Sequence, residues 1–162
     1  MPKQKQKGFT LIELLIVIVI LGILATIGLA SFASSQMKSR DARRKANLNQ
    51  VAGSLEIYFN DMSKYPSASA VGQIMGCGAG AVGTCSWGTD TFSNTTTGTI
   101  YMAKLPTDPS SFTYYYVSTG KTYKLYAHVE NSQDKNILSS ITYTTQCGGT
   151  CNYGISSQNT TP

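Results

Sequence analysis

Phe9 to Ala33 reads FTLIELLIVIVILGILATIGLASFA, 25 residues with one ionisable side chain, Glu13. A helix needs about 20 apolar residues to cross the hydrocarbon core of a bilayer. Charge at the bilayer centre is costly, so this run predicts a membrane-spanning helix. The apolar region of a secretory signal is shorter, roughly 7–15 residues, and ends at a small-residue cleavage site. Here no polar break follows and the helical pattern continues, so the span is read as retained. An intramembrane carboxylate is by default functional. Glu13 sits near one edge of the run, where reaching interfacial water is an equal reading.

The pattern carries on past the span. Leu48, Val51, Ala52, Leu55, Tyr58, Phe59 and Met62 recur at spacings of three and four, an amphipathic stripe. Asn47, Asn49, Gln50, Ser54, Glu56 and Asn60 occupy the other face. Pro66 marks the stop. One helix from Phe9 to about Met62 would be roughly 80 Å long at 1.5 Å per residue. Its first half would sit in membrane and its second half would carry a globular head.

Charge follows this division. The 162-residue chain has net charge +5, from 13 Lys and Arg against 8 Asp and Glu. Lys3, Lys5, Lys7, Lys38, Arg40, Arg43, Arg44 and Lys45 lie before residue 46, with only Glu13 and Asp41 opposing them. The remainder is slightly acidic, five bases against six acids. A basic nucleic-acid-binding body is therefore disfavoured. The cluster Lys38–Lys45 lies where the helix would leave the bilayer. It reads as a solvated helix face in preference to a contact with lipid headgroups or with acidic neighbours.

Cys77, Cys85, Cys147 and Cys151 lie in Gly-rich sequence, an even number at short spacings, as suits disulfides in an oxidising compartment. Among three connectivities the local pairs Cys77–Cys85 and Cys147–Cys151 are preferred, over a Cys-x3-Cys metal site. Counting positive charges beside the span would put the C-terminal side in the cytoplasm, whereas the cysteines put it outside.

Lys7-Gly8-Phe9-Thr10-Leu11-Ile12-Glu13 followed by the apolar run resembles the N-terminus of type IV pilins and type II secretion pseudopilins. The resemblance implies cleavage between Gly8 and Phe9 by a cytoplasmic-face prepilin peptidase, and N-methylation of Phe9. It thereby sides with the cysteines on orientation. It implies a cytoplasmic leader (1–8), a transmembrane and filament-core helix (9–33) and an extracytoplasmic head (34–162). It also implies a helical homo-oligomer in which Glu13 of one subunit neutralises the Phe9 amine of another. Two unpaired charges in an apolar core would each be costly, so the pair acts as a register device. Cytoplasmic ATPases acting through an inner-membrane platform build such filaments. This chain has no GxxxxGK[ST] loop, so it would be the building block. Ala30 stands where many relatives carry proline in the span, leaving Gly22 and Gly28 as its weak points.

The stretch RDARRKANLNQVAGSLEIYFNDMSKYP resembles major pseudopilins and some Gram-positive pilins, and Leu105-Pro106-Thr107-Asp108-Pro109 resembles their turn into the sheet. Calcium in a late loop of those pseudopilins needs several acids; residues 131–162 offer only Asp134.

Residues 67–99, rich in Gly, Ser and Thr, read as a loop pinned by Cys77 and Cys85. Phe112–Val117, Tyr123–Val129 and Ile137–Thr145 read as strands, with Ile100–Met102 as a short addition. The fold class is α+β, a long N-terminal helix against a small antiparallel head, which the resemblance identifies with the pilin fold.

His128 is the only histidine and lies on an alternating strand. No Ser/His/Asp set, carboxylate pair or phosphate loop appears, so neither an enzyme nor a cofactor is expected. The Tyr114–Tyr116 run reads as strand material, and Asn94-Thr95-Thr96 and Asn159-Thr160-Thr161 are sequons of a kind common in Thr-rich chains. The expected protein is a filament subunit, membrane-held with its head outside before assembly and on the cell surface afterwards. Rival readings are a secretion pseudopilin, a DNA-uptake pilin and a membrane-anchored extracytoplasmic enzyme. Loss of the leader would reduce the net charge to +2, carried by the Lys38–Lys45 collar on a nearly neutral head.

Overall fold

A computed structural model describes residues 8–158 and 160–162, apart from the side chain of Ala30. Residues 1–7 of the expected leader and Asn159 of the second sequon lie outside the described residues. The described residues form two compact units that divide between Met37 and Lys38. One helix, α1, Leu11–Met62, contributes to both.

In the first unit α1 carries large apolar side chains exposed all round, from Leu11 to Phe32. That is the pattern of a helix meant for an apolar surrounding. It is the one described helix long and apolar enough to cross a membrane. Gly22 and Gly28 are helical, and nothing approaches either of them.

In the second unit the expected stripe is the core. Leu48, Val51, Leu55 and Tyr58 are buried, and Ala52, Phe59 and Met62 pack partly buried against them. The stripe meets Tyr116, Tyr123, Leu125 and Ala127 from one sheet, and Ile74, Phe92 and Tyr101 from the rest of the head. The helix ends at Ser63, whose N–H donates to Phe59 O at 2.8 Å with φ of 55°. This left-handed residue closes the last turn ahead of Pro66. Ser54, assigned to the polar face from sequence, is buried instead. Its hydroxyl donates back to Val51 O at 2.7 Å, so the polar group is satisfied on its own helix.

Eight short strands follow. β1 (Ser67–Ala68), β2 (Ile74–Cys77) and β3 (Gly83–Cys85) form one antiparallel sheet in that order. β4 (Phe92–Asn94) and β5 (Thr99–Met102) form a hairpin. β6 (Tyr115–Ser118), β7 (Tyr123–Ala127) and β8 (Tyr153–Ser156) form a second three-stranded antiparallel sheet. The head is thus α+β, as expected.

Two expectations need correction. Residues 67–99 are not one loop: β1 to β4 lie within them. Small residues let those strands pack. A side chain at Gly76 would meet Phe92 Cε2 at 2.9 Å and Pro66 Cβ at 3.0 Å. Ile137–Thr145 is not a strand either, and β8 takes the third place in its sheet. Ile141 and Tyr143 pack instead over Tyr126 and the Cys147 and Cys151 pair. Gly154 admits the Tyr126 ring, whose Cδ1 lies 2.7 Å from where a Cβ would stand.

Gly72 gives a direct test of the head. Its φ is +73°, and a Cβ there would overlap the Tyr115 ring. Gly72→Ala is expected to lose about 2–5 kcal/mol of stability. Left-handed strain contributes about 1–2 kcal/mol and overpacking about 1–3 kcal/mol. The measurement is the denaturation midpoint of the detergent-solubilised chain, and an unchanged midpoint would contradict the packing.

Candidate assembly site

The N-terminal turn places the predicted processing and assembly residues together. Gly8 has open space around it, which leaves its backbone accessible. Phe9 is 93% exposed. Glu13 lies in the first turn of α1. Its Oε2 accepts the Thr10 N–H at 2.8 Å and the Thr10 hydroxyl at 2.7 Å, while Glu13 N–H donates to Thr10 Oγ1 at 3.3 Å. This is a reciprocal capping box, which satisfies donors that would otherwise be orphaned at the helix start. Within a single chain, therefore, the carboxylate is held by Thr10. Sequence reading missed Thr10, although the Thr-x-x-Glu spacing was its signal.

The basic collar is the second element, and here the reading as a solvated face is overturned. Arg44 is 0% exposed. Its Nε and Nη2 donate to Asp108 Oδ2 and Oδ1 at 2.6 and 2.9 Å, and its Nη1 donates to Asp41 Oδ1 at 2.7 Å. Nη1 also lies 2.7 Å from Glu130 Oε1. The Phe112 ring lies 5.2 Å from the guanidinium carbon. Arg40 grips Glu130 with two bonds of 2.9 and 2.5 Å. Lys45 Nζ donates to Asp134 Oδ2 at 2.6 Å. Asp41, itself buried, accepts the backbone N–H groups of Glu130 and Asn131.

The network turns the collar inward. Acids far along the chain fold back onto α1 and fix the 105–110 turn and the 130–134 loop to it. A buried charge is tolerated only when paired and hydrogen-bonded. For Arg44, burial lowers the pKa, but bonds to Asp108, Glu130 and Asp41 outweigh it and the guanidinium rises above its usual range. The Arg40 hydrogen bond, opposed by burial and helped by Arg44, holds Glu130 down at about 2. The Lys45 bond likewise lowers Asp134. Of the collar, Lys38 and Arg43 remain exposed without a carboxylate partner among the described residues.

The cysteines form two local disulfides, Cys77–Cys85 and Cys147–Cys151. His128 lies one residue past the end of β7 and not on a strand as expected; its Nδ1 lies 2.6 Å from Thr150 O, and its ring is tilted over Phe112 at 4.1 Å. Asn94 of the first sequon is 3% exposed, and its Oδ1 accepts the Thr96 N–H, which withdraws the side chain from modification in the folded head. Among the described residues no group of three or more His, Cys, Asp or Glu is placed to hold a metal ion.

Residues 3–29 match the family described as the prokaryotic N-terminal methylation motif. Type II secretion system core protein G of Pseudomonas aeruginosa is 31% identical over 121 residues, covering 74% of this chain and 79% of that protein. The chain belongs to the type IV pilin and type II secretion pseudopilin family. Other members of the family resemble it over shorter stretches. The type IV major pilin protein PilA of Myxococcus xanthus is 38% identical over 61 residues, 38% of this chain and 28% of that pilin. The fimbrial protein EcpC of Eikenella corrodens is 39% identical over 74 residues, 46% of this chain and 48% of that protein. No solved structure matches this pilin-family chain.

Proposed function

We propose that this chain is the structural subunit of an extracellular type IV pilus-like filament, assembled through its N-terminal apolar helix. The observation that carries the reading is the helix surface itself. Its large side chains from Leu11 to Phe32 are all at least half exposed, with no partner among the described residues to cover them. A bilayer covers such a surface before assembly, and the helices of other copies cover it afterwards.

In this reading prepilin peptidase cuts after Gly8 and the Phe9 amine is methylated. The subunit then waits in the cytoplasmic membrane with its disulfide-bonded head outside. An inner-membrane platform and a cytoplasmic ATPase draw it into the filament, where Glu13 exchanges its Thr10 contacts for the Phe9 amine of a neighbour. A second reading, a pseudopilin of a type II secretion system, is favoured by the extent of the likeness to the Pseudomonas protein, 79% of its length.

Mass spectrometry of protein from membranes or sheared filaments is expected to find a chain that starts at Phe9 and carries one added methyl group. A chain that begins at Met1 in assembled material would overturn the processing. Electron microscopy of cells that lack the chain is expected to show loss of the filaments. Surface filaments absent from the wild type, with secretion that depends on the chain, favour the pseudopilin reading.

A further inference from the structure

We infer that neighbouring copies of this chain pack α1 against α1 through its bare outer face with an axial displacement of about 20 Å, which pairs Arg43 of one copy with Glu56 of the next. The inference rests on the filament reading and adds its register.

The starting point is the charge left over on the head half of α1. Arg40, Asp41, Arg44 and Lys45 are all committed to ion pairs within the chain. Lys38, Arg43, Glu56 and Asp61 are exposed, and none meets an opposite charge among the described residues. Both carboxylates are held in place by tyrosines: Glu56 accepts the Tyr65 hydroxyl at 3.0 Å, and Asp61 accepts the Tyr101 hydroxyl at 2.6 Å.

Helical phase arranges these four groups in two rows. Lys38 and Glu56 are eighteen residues apart, as are Arg43 and Asp61. Eighteen residues are five whole turns, so each row keeps one azimuth over about 27 Å. The two rows lie about 140° apart around the helix. They flank a strip that includes Ala46 and Gly53, all exposed and on the side away from the buried stripe of Leu48, Val51 and Leu55. The head covers the opposite side, so copies that share a membrane orientation can bring these helices together only through this strip and its flanks.

Copies in a filament meet heterologously, one flank of the first against the other flank of the second. Level packing then sets Lys38 beside Arg43 and Glu56 beside Asp61, base against base and acid against acid. A displacement relieves this. One of about 20 Å joins Glu56 to Arg43, and one of about 35 Å joins Lys38 to Asp61. The head half of α1, Lys38–Met62, is only about 37 Å long. The larger shift would leave almost no overlap within it, whereas the smaller keeps nearly half. Charge complementarity and overlap together select the Arg43–Glu56 register.

The test uses the full chain in assembling cells. Arg43→Glu and Glu56→Arg are each expected to cut the sheared filament yield at least tenfold, and the double variant to return it to within threefold of wild type. The two positions are about 20 Å apart along one helix, so mutual rescue must act between copies and does not follow from a folding defect. Arg43→Cys combined with Glu56→Cys is expected to give a ladder of covalent multimers when filaments are oxidised. Rescue and laddering by the Lys38 and Asp61 pair in place of this one would overturn the register, as would normal filaments from either single reversal. A wild type that forms no filament would overturn the filament reading, and the register with it.

Discussion

Replacing Arg44 by methionine is expected to lower the stability of the head by about 3–5 kcal/mol, the usual cost of breaking a buried ion pair on one side only. Among the described residues the guanidinium is the one cation that Asp108 meets, and it also meets Asp41 and Glu130. Asp41 and Asp108 are 2% and 6% exposed, so water cannot take its place. Each would keep its backbone N–H bonds, Asp41 from Glu130 and Asn131 and Asp108 from Ser110, but not a countercharge. Whole-domain stability is only about 5–15 kcal/mol, so the variant should melt about 10 °C or more below the wild type. Arg44→Lys should also be costly, because an ammonium cannot reproduce the two-pronged grip on Asp108. Adding Asp108→Leu to Arg44→Met should cost less than the two single losses together, since one orphaned charge is removed. A melting temperature within 2–3 °C of wild type for Arg44→Met, a loss of about 1 kcal/mol, would contradict the arrangement.

The same network sets an acid limit. Glu130 is held at about 2, against an ordinary 4.5. A depressed carboxylate contributes stability that is fully present above its unfolded value and is lost as pH falls toward its folded one. The wild-type melting temperature should therefore drop as pH goes from 4.5 toward 2, and part of that slope should vanish in Arg44→Met. An equal slope in both proteins would remove Arg44 from the account.

The second large effect concerns assembly. Glu13→Ala is expected to abolish filaments, with at least a tenfold loss of sheared material, and to leave the melting of the head unchanged. Two interactions are lost in that variant, the capping box with Thr10 and the proposed pairing with a neighbouring Phe9 amine. Glu13→Gln separates them. Its amide oxygen can still accept from Thr10, so the cap, worth about 0.5–2 kcal/mol, is largely kept. It cannot neutralise a cation in an apolar bundle, where an unpaired charge costs far more. Glutamine should therefore fail as badly as alanine. Filaments of normal yield from Glu13→Gln would refute the charge pair and leave the cap as the role of Glu13.

The length of α1 and the face it buries were legible because both are periodic. An unbroken apolar run and a stripe at Leu48, Val51, Leu55 and Tyr58 need no distant information. The sheet was legible where strands are rich in tyrosine and alternate, as at Tyr123–Ala127. It was misread at Ile137–Thr145, where Ile141 and Tyr143 pack against Tyr126 in place of a strand. It was misread again where the true strand holds a glycine whose purpose is to admit Tyr126. The family was legible from the N-terminal motif, the stretch over residues 3–29. The role of the collar was not. Its partners stand 64 to 90 residues away in loops without pattern. The near-neutral total of the head concealed that Asp108, Glu130 and Asp134 were already committed to α1.

The disulfides have a consequence for how the subunit bears load. Cys77–Cys85 and Cys147–Cys151 close loops of 8 and 4 residues. If the head were pulled open, these loops would withhold only about 40 Å of chain from extension, at roughly 3.5 Å per residue. Neither bond ties α1 to a strand. Under tension along the helix, the head stays attached through the packed stripe and the salt links of Arg40, Arg44 and Lys45, and through no covalent bond but the chain itself. The collar is thus the mechanical clasp of the subunit, and acid below the titration of Glu130 would loosen it.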